Sequence, residues 1–203
     1  MSPEASRRNV RRCAGRLFLI VAVIVLNNSC VVRSVHSWIK ADSFTFESGL
    51  VGGWVGIGER ADVAMTFVRE DDARGGGEAY IVQYSSKDGQ GTFLGRIGKF
   101  GGDLFLDLTP KEGGPGIDGF LLYPMHSLAK LELRGDDLSV RTLDYGQMKA
   151  AAKLGRLSGL KYSWDLEDEL VITSDTDELH SFIHTLERDS VLLAPPIRLA
   201  RRK

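Results

Sequence analysis

The chain from residue 50 onward alternates short apolar runs with polar turns. Residues 103–108, DLFLDL, place Leu104, Leu106 and Leu108 on one face of a strand, because successive side chains of a strand point to opposite faces. Short runs at this spacing, separated by turn residues, predict about eight strands in an antiparallel barrel or sandwich. The other runs are GGWVGIGER at 52–60, VAMTFVRE at 63–70, EAYIVQYSS at 78–86, GTFLGRIGKF at 91–100, FLLYPMHSLAKLELR at 120–134 and DLSVRTL at 137–143.

Turn residues separate these runs. Asp88-Gly89 lies between the runs at 78–86 and 91–100, and Asp-Gly in this position is a strong signal for a tight hairpin. The chain has 23 Gly and 6 Pro, and abundant glycine with little proline favours many tight turns over long helices. The predicted fold class is therefore mainly β.

Two stretches near the C terminus have helical patterns instead. Residues 144–157 contain good helix formers, and a short strand, ELVITS, follows at 169–174. Asp175 and Glu178 then match a capping box, which begins a helix. We expect this second helix to pack on the barrel, where it could also close one end. Its apolar residues recur at i, i+3, i+4 and i+7 and form one stripe: Leu179, Phe182, Ile183 and Leu186.

The first thirty residues differ in composition from the rest. A basic, polar stretch at 1–16 precedes the apolar run LFLIVAVIVL at 17–26, and NNSC follows. This order is typical of a secretory signal peptide. Ten helical residues span about 15 Å, which is half of a bilayer core of about 30 Å. We therefore predict a signal peptide at 1–29, with an uncleaved membrane anchor as the alternative.

The end of this stretch resembles the lipobox of bacterial lipoproteins, in which an apolar residue and two small residues precede a cysteine that becomes the mature N terminus. Ser29 and Cys30 match its last two positions, whereas the expected leucine lies one place early, at Leu26. The resemblance implies lipidation of Cys30 and a protein of the bacterial cell envelope, membrane-anchored and facing the periplasm or exterior. Cys13 would leave with the signal peptide, so Cys30 is the one cysteine of the predicted mature chain. A free, unmodified Cys30 is the alternative.

Pattern and charge divide the remaining chain. Residues 30–49 have no sustained period and are predicted to be a tether, residues 50–193 to be a barrel domain with its C-terminal helix, and residues 194–203 to be a solvated basic tail. Without residues 1–29, the chain keeps 21 of its 26 basic and 26 of its 27 acidic residues, a net charge of −5. This mild acidity argues against a nucleic-acid partner.

Histidines are the sharpest candidates for a metal site. His180 and His184 are spaced i, i+4 and project from one face of the predicted helix, a geometry that zinc sites use. The stretch HSFIH lacks the glutamate of the metalloprotease motif, and a third ligand would have to come from Glu187 or elsewhere. Two histidines that border a packed helix face are the simpler interpretation, so no metal and no cofactor are predicted.

A catalytic role for His126 as a general base is the remaining enzymatic hypothesis. The sequence contains no G-x-S-x-G nucleophile motif. Ser127 is adjacent to His126, so its side chain would lie on the opposite face of a strand. A structural histidine bonded to the backbone is therefore the favoured interpretation. We predict no catalytic residues and expect that the protein is not an enzyme.

The start of the β region resembles the lipocalins. Gly52-Gly53-Trp54 matches the G-x-W signature that opens their first strand. The wider pattern, which covers most of residues 50–190, is similar to lipocalin-like bacterial lipoproteins of unknown function. The resemblance implies an antiparallel lipocalin-like barrel of about eight strands with one or two C-terminal helices, and it attaches no catalytic residue. The matching stretches are Leu50 to Trp54, Gly101 to Leu108, Tyr123 to His126, and Thr173 to Phe182.

These features predict an exported, membrane-anchored, non-enzymatic lipoprotein whose barrel binds a small apolar ligand or lipid. A barrel of about eight strands has room either for side chains or for one small ligand. The alternative is a structural or interaction module of the cell envelope with a filled barrel, whose outer surface binds another envelope protein. The expected partners are a membrane, reached through the lipidated N terminus, and an apolar small molecule. The sequence does not specify the ligand-binding residues.

Overall fold

The computed structural model describes residues 31–70, 78–111, 125–186 and 190–203. Twelve strands and two α-helices lie in these ranges. Three-residue 3-10 helices are at Ala41–Ser43, Ser48–Leu50, Gly58–Arg60 and Ser190–Leu192. The strands and α-helices are β1 (Arg33–Ser34), β2 (Phe44–Thr45), β3 (Gly52–Gly56), β4 (Ala64–Arg69), β5 (Ala79–Ser86), β6 (Gly89–Phe100), β7 (Asp103–Pro110), β8 (Ser127–Arg134), β9 (Asp137–Thr142), α1 (Tyr145–Lys153), β10 (Tyr162–Trp164), β11 (Leu170–Ile172), α2 (Thr176–Leu186) and β12 (Ile197–Arg201).

Eight of the strands form a closed antiparallel barrel. Strands β3 to β9 follow one another as an up-and-down meander, and β12 lies between β9 and β3. Strand β6 pairs with both β5 and β7, which closes the ring. The predicted fold class, a mainly β antiparallel barrel of about eight strands with C-terminal helices, is confirmed.

The C-terminal residues form the eighth strand of this barrel. Ile197–Arg201 pairs with β9 on one side and with β3 on the other, and Leu199 is 1 % exposed. The prediction of a solvated basic tail at 194–203 was therefore wrong for this stretch. Its two large apolar residues, Ile197 and Leu199, share one face of a strand of only five residues, which is too short a pattern to stand out in sequence.

The hairpin predicted at Asp88-Gly89 is confirmed. Strands β5 and β6 pair without interruption from Ala79↔Arg96 to Ser86↔Gly89. The turn glycine has a φ of 155°, a backbone conformation that side chains disfavour. The turn therefore fixes the register, and the register decides which side chains of both strands point into the barrel.

Buried side chains form two separate cores. The lumen core lies inside the barrel, and the wall core lies between the outer face of the barrel and the two helices. Strand β7 contributes to both, because Leu106 points into the lumen core and Phe105 into the wall core, each without measurable exposure. This part of the barrel wall is therefore buried on both faces.

The N-terminal segment, residues 31–50, is packed against the barrel. Trp38 and Ile39 are buried in the wall core. The Ser37 hydroxyl and the backbone N–H of Trp38 both donate to the Asp107 carboxylate on the outer face of β7, at 2.5 and 3.0 Å. The prediction of a tether at 30–49 was wrong from Val32 onward. The apolar residues of this segment lack periodicity because irregular backbone, rather than a strand or helix, presents them to the wall.

The helices begin where their capping residues predict. In α1, the Asp144 side chain accepts from Gln147 N at 2.9 Å. In α2, the Asp175 carboxylate accepts from Glu178 N, and the Glu178 carboxylate accepts from Asp175 N, at 2.9 and 3.3 Å, so the predicted capping box is confirmed. The predicted apolar stripe of α2 is buried in the wall core, along the side of the barrel.

A small three-stranded sheet completes the fold. Its order is β1-β11-β10, with β1 parallel to β11 and β10 antiparallel to it. The parallel pairing places the start of the N-terminal segment beside the turn that joins β10 to β11. Among the described residues, no helix has both the length and the apolar character needed to span a membrane. The predicted signal peptide and Cys30 lie outside the described residues.

Candidate ligand-binding end of the barrel

One end of the barrel is covered by the N-terminal segment. At this closed end, the 3-10 helix Ser48–Leu50 lies next to the first barrel strand, and Leu50 is fully buried in the lumen core. The approach to the barrel is close, because a Cβ added at Gly49 would lie 2.8 Å from a methyl carbon of Leu133 on β8. Glycine at this position therefore lets the backbone approach the end of the lumen.

Arg201, at the end of β12, holds this cover in place. Its guanidinium donates to the carbonyl oxygens of Gly49 and Val51 at 2.6 and 3.0 Å and to the Asp136 carboxylate at 2.9 Å. The guanidinium carbon also lies 4.3 Å from the ring centre of Trp54, and such cation–π contacts are favourable. The indole N–H of Trp54 in turn donates to the Leu50 carbonyl at 2.9 Å.

Tyr80 makes a second attachment at the closed end. Its buried hydroxyl accepts from Glu47 N at 2.6 Å and donates to the Glu47 carbonyl at 3.0 Å. Its ring stacks on Phe46, with centroids 5.1 Å apart. Burial raises the pKa of this tyrosine above its ordinary value, so the hydroxyl keeps its proton and remains a donor.

The opposite end, which we call the rim, has a different character. Four apolar side chains that point into the barrel at this end are only partly buried: Tyr84 on β5, Phe93 on β6, Leu108 on β7 and Ile197 on β12. Strands β6 and β12 are on opposite sides of the eight-strand ring, so Phe93 and Ile197 face each other across the lumen. The described rim therefore presents apolar, accessible surface inside the barrel wall.

The middle of the lumen is filled by side chains. A Cβ added at Gly95 would lie 2.8 Å from a Val82 methyl and 3.0 Å from a Leu106 methyl, and both residues are fully buried. Gly91 lies on the same face of β6, four residues nearer the rim. An added Cβ there would meet only the far edge of the Phe93 ring, at 2.8 Å. Packing is therefore tight in the middle and looser at the rim.

The predicted metal candidates, His180 and His184, lie beside Phe100 in the structure. Their ring centroids are 5.8 Å apart, and each contacts the Phe100 ring, at 4.8 and 5.3 Å. Lys40 N is 3.5 Å from His180 Nδ1. Within the described ranges, no group of three or more potential metal ligands is present, and Glu187 lies outside them. The contacts match two histidines that border a packed face.

His126, the candidate general base, belongs to a polar cluster outside the barrel. Its Nδ1 lies 3.0 Å from Asp107 Oδ1 and 3.0 Å from Thr109 Oγ1. Asp107 is 3 % exposed and already accepts from Ser37 and Trp38 of the N-terminal segment. The structure therefore brings together a serine, a histidine and an aspartate, but the serine bonds the aspartate directly, unlike the nucleophile of a catalytic triad. The cluster attaches the N-terminal segment to the barrel wall.

Comparisons with known proteins do not assign this chain to a family. A scan against protein-family models and searches of curated proteins and of solved structures found no match to this chain.

Sequence reasoning missed the residues that define the two ends. Arg201 was assigned to a solvated tail, and Phe93 and Ile197 were not singled out. The i, i+2 spacing of Ile197 and Leu199 is the signal that could have found β12, and it becomes decisive only once a barrel lacking its eighth strand is recognised. Partial exposure at the rim depends on how the strands are staggered around the barrel, which sequence does not give.

Proposed function

We propose that this protein is an exported, non-enzymatic lipoprotein, acylated at Cys30, whose barrel binds a small apolar ligand or a lipid chain at the rim. The observation that carries the proposal is the contrast between the two barrel ends. The closed end is hydrogen-bonded to the N-terminal segment and leaves two interior leucines, Leu104 and Leu133, partly accessible, whereas the rim leaves four apolar interior side chains partly accessible, two of them aromatic.

The chemistry of the rim favours an apolar ligand with little polar decoration. The accessible interior residues are one tyrosine, one phenylalanine and two aliphatic residues. Ligand sites of this kind derive affinity from buried apolar area and orientation from a few polar groups. The Tyr84 hydroxyl is the polar group that the rim residues themselves offer. The lumen below the rim is filled, so a single extended chain or a small ring fits this site better than a bulky ligand does.

A fluorescence titration tests the binding proposal. The purified protein is titrated with N-phenyl-1-naphthylamine, whose emission rises in apolar surroundings, and we expect saturable binding. Phe93→Asp and Ile197→Asp each place a carboxylate against the bound probe from opposite sides of the lumen. Because burying a charge beside an apolar ligand costs more than about 1.4 kcal/mol, each variant should weaken binding at least about tenfold.

Val68→Asp is the matched control for these variants. Val68 is an exposed apolar residue on the outer face of β4, so the same substitution there should leave probe binding unchanged. Non-saturable binding in the wild-type protein, or equal loss in the control variant, would exclude a rim site.

The second candidate function, an interaction module with a filled barrel, has one observation in its favour. The lumen around Gly95 leaves no room for an added methyl group without movement of Val82 or Leu106. If organic extraction of protein purified from its native host yields no bound lipid and the titration shows no saturable binding, this second function is the better supported one.

The acylation proposal has a separate test. An intact mass of protein purified from host membranes should equal residues 30–203 plus acyl chains, and Cys30→Ser should abolish the added mass. A full-length mass would instead identify an uncleaved anchor, and a cleaved chain without added mass would identify a free exported protein.

A further inference from the structure

We propose that the turn between β10 and β11 rests on the bilayer surface, with Leu166 inserted among the lipids. This inference depends on the proposed acylation of Cys30. It identifies which face of the domain meets the membrane, and so deepens the proposed function.

The first observation is the short stretch of chain between Cys30 and the packed domain. Val31 directly follows this cysteine, and Val32 is already 1 % exposed, within the wall core. Arg33 is paired with Val171 in β11. One residue therefore separates the proposed acylated position from the packed domain, so the domain would be held against the bilayer rather than suspended from it.

The second observation is what lies beside this attachment point. Because β1 runs parallel to β11, the chain enters the domain next to residues 165–169. An ion pair between Arg33 and Asp165, with N and O atoms 3.0 Å apart, joins the two directly. Surface near the start of the domain is therefore formed by the β10–β11 turn.

The third observation is the character of the turn. Leu166 is the most exposed large apolar residue of the described chain, at 106 % relative accessibility. Two hydrogen bonds hold the turn, because Asp165 Oδ1 accepts from both Glu167 N and Glu169 N at 2.9 Å. A leucine held outward by a hydrogen-bonded turn is prepared to bury its side chain in lipid at little entropic cost.

Charge around the turn determines which lipids it meets. Arg33 pairs with Asp165, and Lys149 and Lys153 pair with Asp168, while the turn carries two further acidic residues, Glu167 and Glu169. With no excess of positive charge, attraction to anionic headgroups does not drive the contact. The contact depends instead on the leucine and on its enforced proximity to the bilayer.

Trp164 provides the readout. It directly precedes the turn and is partly exposed, with Lys149 and Lys153 over its ring at 5.8 and 5.7 Å. The two other tryptophans, Trp38 and Trp54, are buried within the cores. Quenching of tryptophan emission by brominated acyl chains in vesicles therefore reports on Trp164.

The experiment uses the full chain isolated from host membranes and reconstituted in phosphatidylcholine vesicles with or without brominated lipid. We expect the brominated lipid to quench the wild-type protein, and we expect this quenching to disappear in Trp164→Phe. Leu166→Asp should show as little quenching as Trp164→Phe. Addition of phosphatidylglycerol should leave the quenching of the wild-type protein unchanged. Leu154→Asp is the matched control, since Leu154 is an exposed leucine at the end of α1, and it should retain wild-type quenching.

The outcomes distinguish a failure of this inference from a failure of the acylation proposal on which it depends. Acylated protein whose Trp164 is not quenched, or equal loss in Leu154→Asp, overturns the membrane contact alone. A mass without acyl chains overturns the acylation proposal and this inference together.

Discussion

The lumen core and the wall core differ in how they treat polar groups. The described interior of the barrel buries apolar and aromatic side chains, and its tryptophan N–H is bonded to the Leu50 carbonyl. The buried polar residues of the described chain, Ser34, Asp107 and Ser174, all lie outside the lumen. The wall core also contains Trp38 Nε1, a buried donor with no partner among the described residues.

This difference follows from how each core is assembled. The lumen is built by barrel strands that are joined to one another by ladders, so the ladder hydrogen bonds fix the register. The wall core joins irregular backbone, helices and the outer face of β7, and the ladders that reach the N-terminal segment, β1 with β11 and β2 with β6, are only two residues long. Hydrogen bonds to the Asp107 carboxylate therefore position the N-terminal segment against the wall.

The largest expected effect comes from matched changes at the two buried tryptophans. Trp54→Phe removes the hydrogen bond to the Leu50 carbonyl and the stacking with Arg201, as well as volume, and should cost about 3 kcal/mol of unfolding free energy. Trp38→Phe also loses volume but removes an unpartnered donor, and should cost about 1 kcal/mol. Urea unfolding followed by circular dichroism measures both. An equal or larger cost at Trp38 would show that the two cores do not differ in this way.

Two glycine substitutions on one face of β6 sharpen the contrast within the lumen. Gly95→Ala forces Val82 or Leu106 to move and should cost about 2 kcal/mol. Gly91→Ala meets only the edge of the partly exposed Phe93 ring, so its cost should stay below about 1 kcal/mol. Unfolding midpoints of the two variants check the ranking, and a larger cost at Gly91 would mean that the rim is as tightly packed as the middle.

The smallest effect concerns acid sensitivity beside the wall core. Burial, followed by the charges of Lys40 and His184, lowers the pKa of His180 below its ordinary value of 6.5, against smaller opposing contributions from Asp42 and Asp177. The folded state thus favours the neutral ring, so this contribution to stability is complete above about pH 6.5 and is lost as pH falls through the lower folded pKa. His180→Gln should flatten the dependence of the unfolding midpoint on pH below about pH 6.5. An unchanged slope would contradict this assignment.

Sequence alone predicted the elements whose pattern is local. The alternation of Leu104, Leu106 and Leu108 identified β7, and Asp175 with Glu178 identified the start of α2, because each depends on nearby residues. The N-terminal segment could not be predicted, since Trp38 and Ile39 are buried by contacts with residues far along the chain. The same holds for the candidate site, whose rim residues come from four strands brought together only when the barrel closes.

The position of β12 sets the order in which the barrel can be completed. Trp54 on β3 pairs with Arg201 on β12, so the first barrel strand gains this neighbour only after residues 197–201 have been synthesised. Until then, β3 and β9 present unpaired edges, which are templates for association with other chains. A chain that stops before residue 197 would therefore retain seven barrel strands with two unpaired edges, and it would lack the arginine that holds the cover of the closed end.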